Sequence, residues 1–218
     1  MSFYAGNFPV GEGVYVRGRM SPVNGSLAPF YGLLTRRLQR ARMRAIGPYL
    51  APKARVLDVG CGLTDLPARL EDYVGCDRDP VVLGEMRRRY PSARFVAWDA
   101  AADEAPRELQ ETGPFDVVLL AAVLEHVSEP GRLLGRVASL LAPGGRVVTT
   151  TPHPIGRLPL EAGARLGLLS HAADEEHEDL LDRAGLAAAG RNAGLTLVTY
   201  ERFLAGLNQT AVFARVEA

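Results

Sequence analysis

The chain is poor in cysteine, balanced in charge and free of long apolar runs, and each shortage excludes a class of protein. Its two cysteines, Cys61 and Cys76, are too few for a disulfide scaffold. Read as small buried side chains beside strand ends, they fit a reducing, cytoplasmic setting. No run reaches the roughly 18 uncharged apolar residues that a membrane-spanning helix needs. The amino terminus, Met-Ser-Phe-Tyr-Ala-Gly-Asn, lacks the basic-then-apolar order of a secretory signal. Twenty-five basic side chains meet 25 acidic ones, so no global charge marks a nucleic-acid partner. A local imbalance exists: residues 1–50 hold seven arginines against Glu12 alone. No internal repeat or low-complexity tract stands out.

What the chain does contain, at 218 residues with 47% apolar side chains, suffices for one core-bearing domain with an accessory segment. The boundary is placed at residue 50: an arm and helix over 1–50, and a domain over 51–218. Residues 1–28 read as an irregular arm. A helix is expected over 30–50, with Leu34, Leu38, Ala41 and Ala45 on one stripe and Arg36, Arg37, Arg40 and Arg44 largely opposite. That basic face reads as solvated surface or as a peripheral contact for an anionic lipid or phosphate-bearing carrier. Beyond it, strand and helix signals alternate, as in a parallel sheet with crossover helices. Strands are expected at 55–59, 73–76, 94–97, 115–120, 145–151, 195–202 and 210–216, and helices at 65–71, 80–89, 130–141 and 183–193. Asp182 suits the N-cap of the last helix. The final two strands have no helix between them and would form an antiparallel hairpin at the sheet edge.

The most informative stretch is Arg-Val-Leu-Asp-Val-Gly-Cys-Gly-Leu-Thr, residues 55–64, a buried strand running into a glycine turn. Gly60 and Gly62 allow the backbone to turn tightly and a ligand to approach closely. Asp77, nineteen residues after Asp58, follows a second strand-like run, Tyr73–Cys76, at the spacing at which an acid holds a ribose. A dinucleotide fingerprint would place a glycine where Asp65 stands, and a carboxylate there would repel a pyrophosphate. The Gly-x4-Gly-Lys-Ser/Thr phosphate loop is absent as well. An adenosine-containing cofactor without phosphates fits best, and S-adenosylmethionine is the obvious one.

Five stretches in this order resemble the motifs of class I S-adenosylmethionine-dependent methyltransferases. They are Val-Leu-Asp-Val-Gly-Cys-Gly (56–62), Gly-Cys-Asp-Arg-Asp-Pro (75–80), Phe-Val-Ala-Trp-Asp-Ala (95–100), the run Phe115–Val127 with Glu125-His126, and Leu141–Pro152. The resemblance covers roughly residues 50–155, and Thr64 departs from it where the family usually has a third glycine. It implies a doubly wound, seven-stranded α/β sheet. It also implies cofactor contacts at Asp58, Gly60, Cys61, Gly62, Asp77, Arg78, Asp99, Ala100 and Ala121, with Trp98 or Ala100 beside the adenine. Glu125-His126 is similar to the run in small-molecule methyltransferases of quinone biosynthesis, and His126 is the expected base for an acceptor hydroxyl. A metal-binding Glu-x-x-Glu-His run is broken by Ala122, so no metal is expected, although His171, Glu175, Glu176 and His177 remain as stray donors. No Asp/Asn-Pro-Pro-Tyr-like motif follows the fourth strand, which disfavours nucleic-acid substrates. The tail, including Arg202–Gln209, is similar to methyltransferases of cell-envelope saccharides, which gives an alternative acceptor. Substrate choice is assigned to the arm, with Tyr15, Arg17 and Tyr31, and to the 153–181 insertion. A non-catalytic cofactor-binding subunit is the reading from another class.

Overall fold

The computed structural model describes residues 14–16, 19–21, 28–156 and 180–215, with side chains over 37–155 and 180–215. Two short strands, β1 (Val14–Val16) and β2 (Arg19–Ser21), pair antiparallel. They replace part of the irregular arm expected there. Helix α1 (Ala28–Ile46) follows, then β3 (Arg55–Val59), β4 (Asp72–Asp77), α2 (Pro80–Arg89), β5 (Arg94–Ala97) and α3 (Arg107–Thr112). The second half runs β6 (Phe115–Ala121), α4 (Pro130–Ala138), β7 (Leu141–Pro152), α5 (Arg183–Asn192), β8 (Leu195–Phe203) and β9 (Asn208–Arg215).

Strands β3 to β9 form one sheet in the order β5-β4-β3-β6-β7-β9-β8. The first five are parallel, while β9 pairs antiparallel with both β7 and β8. The order reverses between β3 and β6, and open α/β sheets bind ligands at such a switch, outside the carboxyl ends of the strands. Alternate residues of each strand feed two cores, so the strands read as near-continuous apolar runs. One core joins Leu57, Val118 and Leu120 to Leu133, Leu134 and Val137 of α4 and Leu186 of α5. The other joins Val56, Leu119 and Val148 to Val82, Leu83 and Met86 of α2 and Ile46 of α1. Each fully buried Leu or Val contributes about 1.5–3 kcal/mol relative to an exposed one.

Two expectations are corrected. Residues 65–71 hold only a 3-10 turn, Leu66–Ala68, because Pro67 removes a donor and the segment is too short to propagate an α-helix. Helix α4 stops at Ala138, and Leu141 already pairs with Phe115 across a register shift. Helix α3 was not foreseen. Asp182 does cap α5, its carboxylate accepting the Gly185 N–H at 2.8 Å. Among the described residues no helix is long and apolar enough to cross a membrane.

Candidate active site

The glycine turn leaves the carboxyl end of β3 with positive φ at Gly60 (66°) and Gly62 (53°), a region that penalises any side chain with a Cβ. A Cβ on Gly60 would lie 2.9 Å from Cγ2 of Val123, so the turn packs directly on the segment that follows β6. Around Gly62 the space is open to 4 Å. The turn is also tied to β4: Cys61 N–H donates to the Cys76 carbonyl at 2.9 Å, and Gly62 N–H donates to Asp77 Oδ2 at 3.0 Å. The other Asp77 oxygen accepts the Asp79 N–H at 2.9 Å. Both oxygens are thereby fixed, and each keeps acceptor capacity for a ligand hydroxyl.

Asp58 sits one layer deeper, buried in β3, where its Oδ2 accepts the Tyr73 hydroxyl at 2.9 Å. Burial is the main reason its pKa is raised to about 7, reinforced by Asp77 and opposed by the Tyr73 hydrogen bond. Thr64, in place of the third glycine, accepts the Leu66 N–H on its hydroxyl at 3.2 Å, while Asp65 pairs with Arg69. Cys61 and Cys76 are buried free thiols whose pKa values burial pushes up, making them inert packing residues.

After the carboxyl ends of β4 and β5 lies an open groove of about 790 Å³, lined by Arg78, Asp79, Val81, Trp98, Asp99 and Asp103, among others. Asp99 Oδ1 accepts the N–H groups of Ala101 and Ala102 at 3.1 and 3.4 Å, ordering the loop after β5. Trp98 is buried, its indole N–H donating to the Asp103 carbonyl at 3.2 Å. Arg136, on the buried face of α4, closes the loop from below. Its guanidinium donates to the carbonyls of Ala100 (2.9 Å), Ala101 (2.7 Å) and Ala102 (3.0 Å) and to Glu104 (3.2 Å). Nothing in the sequence motifs pointed to Arg136. The available signal was an arginine inside the apolar run Leu133–Val137, a position that demands partners.

The half of the edge built by β6, β7 and β9 differs. Ala122 takes a positive φ of 61° and its N–H donates to Thr150 O at 2.8 Å, so the chain after β6 is held in a strained conformation. A 3-10 turn, Leu124–His126, then buries Glu125 and exposes His126. The Glu125 carboxyl is raised in pKa by burial, with Arg42 of α1, His126 and Thr151 partly offsetting the shift. Arg42 Nε and Glu125 Oε2 are buried without a hydrogen-bond partner, as are Thr150 Oγ1, Thr210 Oγ1 and Asn208 Oδ1. Thr150 pairs with Thr210, and Pro152 with Asn208, in the register that places Val148 against Val212. These side chains therefore extend the face covered by α1 toward the carboxyl edge. Gln209, on the opposite face, donates to the Pro152 carbonyl at 3.1 Å and to the Leu181 carbonyl at 2.5 Å, joining the two stems of the 153–181 insertion.

The nine expected cofactor residues thus gather at the carboxyl ends of β3, β4, β5 and β6. Arg78 and Asp99 line the groove itself, while Asp58, Cys61 and Ala100 are buried beneath the surface. His126 stands at the same edge. Arg37, Arg40 and Arg44 are exposed. Arg17, His171, Glu175, Glu176, His177 and most of the insertion lie outside the described residues, as do the side chains of Tyr15, Tyr31 and Arg36. Among the described residues no three His, Cys, Asp or Glu side chains gather as a metal ligand set.

A glycine turn with room for close approach, a fixed carboxylate nineteen residues after Asp58 and a groove rich in carboxylates suit adenosine and a cation, and would repel phosphates. The sequence matches the family described as a methyltransferase domain over residues 32–200. A ubiquinone biosynthesis O-methyltransferase of Xanthomonas axonopodis pv. citri is 32% identical over 168 residues, spanning 73% of this chain and 70% of that protein. A trans-aconitate 2-methyltransferase of Methylobacterium nodulans is 32% identical over 181 residues, spanning 72% of this chain and 65% of that protein. Among solved structures, the fold resembles magnesium protoporphyrin IX methyltransferase from Synechocystis with bound S-adenosylhomocysteine. The TM-score is 0.62 at 16% identity, over 86% of this chain and 91% of that one. The chain belongs to the methyltransferase-domain family and is a class I S-adenosylmethionine-dependent methyltransferase.

Proposed function

We propose that the chain methylates an oxygen atom of a small hydroxylated or carboxylated acceptor. The observation that carries this reading is the set of buried, unpartnered polar atoms of Glu125, Thr150, Asn208 and Thr210 near the exposed His126. Polar groups left unpaired in a folded protein are destabilising unless something uses them. The matched relatives named for ubiquinone biosynthesis and trans-aconitate agree with such acceptors.

S-adenosylmethionine supplies an electrophilic methyl group on a sulfonium. In this reading the residues divide the remaining work. Asp77 accepts from the ribose hydroxyls, and Gly60, Cys61 and Gly62 let the backbone approach. Asp58 attracts the α-ammonium group of the amino-acid end. Arg78, Asp99 and Ala100 frame the adenine, and Ala121 floors the site between cofactor and acceptor. His126 takes the proton from the acceptor hydroxyl as the O–CH3 bond forms and the S–CH3 bond breaks, then releases it to solvent. Alignment of the two reactants contributes most of the acceleration. Choice of acceptor is assigned to residues 1–50 and the insertion, and the buried free cysteines agree with a cytoplasmic enzyme.

The test is transfer of a labelled methyl group from S-adenosylmethionine to a panel of phenols, carboxylic acids and hydroxyquinones, with His126→Ala alongside. Labelled ethers or esters, made slowly by the variant and with its pH dependence flattened, support the reading. Label found only in carbon- or nitrogen-methylated products overturns it. The second reading, methylation of a lipid-linked or cell-envelope saccharide, rests on the exposed Arg37, Arg40 and Arg44, which would meet an anionic carrier. Label entering whole saccharide extracts in preference to the panel would favour it.

A further inference from the structure

We infer that Arg136 is the positioning residue for adenine recognition, acting through the loop after β5 without touching the cofactor. The inference rests on reading the groove beside that loop as the adenine site. A guanidinium only 6% exposed presents its donors in a fixed planar fork. Here that fork meets three successive carbonyls, Ala100, Ala101 and Ala102, at 2.7–3.0 Å. Turning three carbonyls inward fixes the peptide planes, and the same peptides present their N–H groups elsewhere. Those of Ala101 and Ala102 donate to Asp99, which lines the groove. Arg136 therefore sets the position of the carboxylate that would read the adenine 6-amino group. The ion pair to Glu104 matters less, because that side chain is 77% exposed and its field is screened by water.

This arrangement couples base recognition to α4, a helix that packs on α5 and β7. A lysine could hold at most part of the fork, and a glutamine would leave most of the carbonyls without a donor.

Trp98 is the chain's single tryptophan, and its bond to Asp103 ties it to the same loop, so its emission reports the loop directly. The experiment titrates S-adenosylhomocysteine and S-inosylhomocysteine, which carries an oxo group in place of the 6-amino group. Wild type, Arg136→Gln, Arg136→Lys and Glu104→Gln are compared, with circular dichroism melts as the check on folding. The wild type should prefer the adenosyl ligand. In folded Arg136→Gln, Trp98 emission should shift, adenosyl affinity should fall about tenfold, and the preference should collapse toward parity. Arg136→Lys should recover part of the preference, and Glu104→Gln should match the wild type. Equal weakening of both ligands, or unchanged preference in a folded variant, would overturn the inference and show a merely structural arginine. If Arg136→Gln does not fold, a wild-type preference in Arg136→Lys overturns it. Failure of the wild type to bind either ligand would instead sink the cofactor-site reading beneath it.

Discussion

The two halves of the sheet's carboxyl edge are built on opposite terms. On the β3-β4-β5 side the polar groups are engaged: Asp77 with two backbone N–H groups, Asp58 with Tyr73, Asp99 with its own loop and Arg136 with three carbonyls. On the β6-β7-β9 side a residue is strained at Ala122, and several buried polar atoms have no partner. The first half is preorganised, which in the proposed reading suits a cofactor whose shape never changes. The second holds unspent hydrogen-bonding capacity, which suits a partner from outside the chain. Satisfied networks rigidify, whereas unsatisfied ones reduce stability in favour of binding.

Breaking the engaged half should give the largest effects. Asp77→Ala removes the acceptor that holds the glycine turn and, in the proposed reading, the ribose, and calorimetric titration should show S-adenosylhomocysteine binding weakened by about 100-fold or more. Gly60→Ala combines a positive φ with a Cβ 2.9 Å from Val123, so it should destabilise by about 2 kcal/mol or more in denaturant titration. Gly62→Ala, with positive φ but open space, should lose only about 1 kcal/mol. Equal losses would show that the turn does not pack as described.

Asp58 sharpens the contrast through pH. Its folded pKa is raised from 3.8 to about 7, so the protonated form supports the fold. That support is complete below the unfolded value and is lost as pH rises through the folded one. Asp58→Asn should therefore melt higher than the wild type at pH 8, by at most about 4 kcal/mol, and show little difference near pH 4. Ligand binding should run the other way. In the proposed reading the ligand's α-ammonium group favours ionised Asp58, so S-adenosylhomocysteine affinity should rise toward pH 7 and then flatten, and the variant should show no such rise. The smallest effect is expected in the unsatisfied half. Thr150→Val and Thr210→Val exchange an unpartnered hydroxyl for a methyl and should stabilise by up to about 1 kcal/mol. Destabilisation would mean that those hydroxyls already have partners, erasing the difference between the halves.

The sequence was most legible where function is local. Residues 55–64 and Asp77 lie on consecutive strands, so strand periodicity and glycine spacing sufficed to bring them together. The alternation of signals gave the parallel core and the closing hairpin for the same reason. The expected helix at 65–71 failed because a propensity argument over seven residues cannot outweigh a proline and a costly nucleus. Arg42 is given no role beyond its share of the basic count in residues 1–50, yet its Nε is buried and its charge acts on Glu125, some 80 residues away in sequence. No sequence signal joins Arg136 to the loop 36 residues earlier, which only the packing of α4 brings against it.

By itself, then, the sequence determined the family, the cofactor class and the glycine turn, because these depend on short-range backbone geometry and residue type. Only the tertiary structure decided which carboxylates are buried, that Ala122 is strained, that Arg136 holds the loop after β5, and that Thr150 meets Thr210. Those facts follow from strand order and helix packing, which join residues whose separation along the chain carries no local signal.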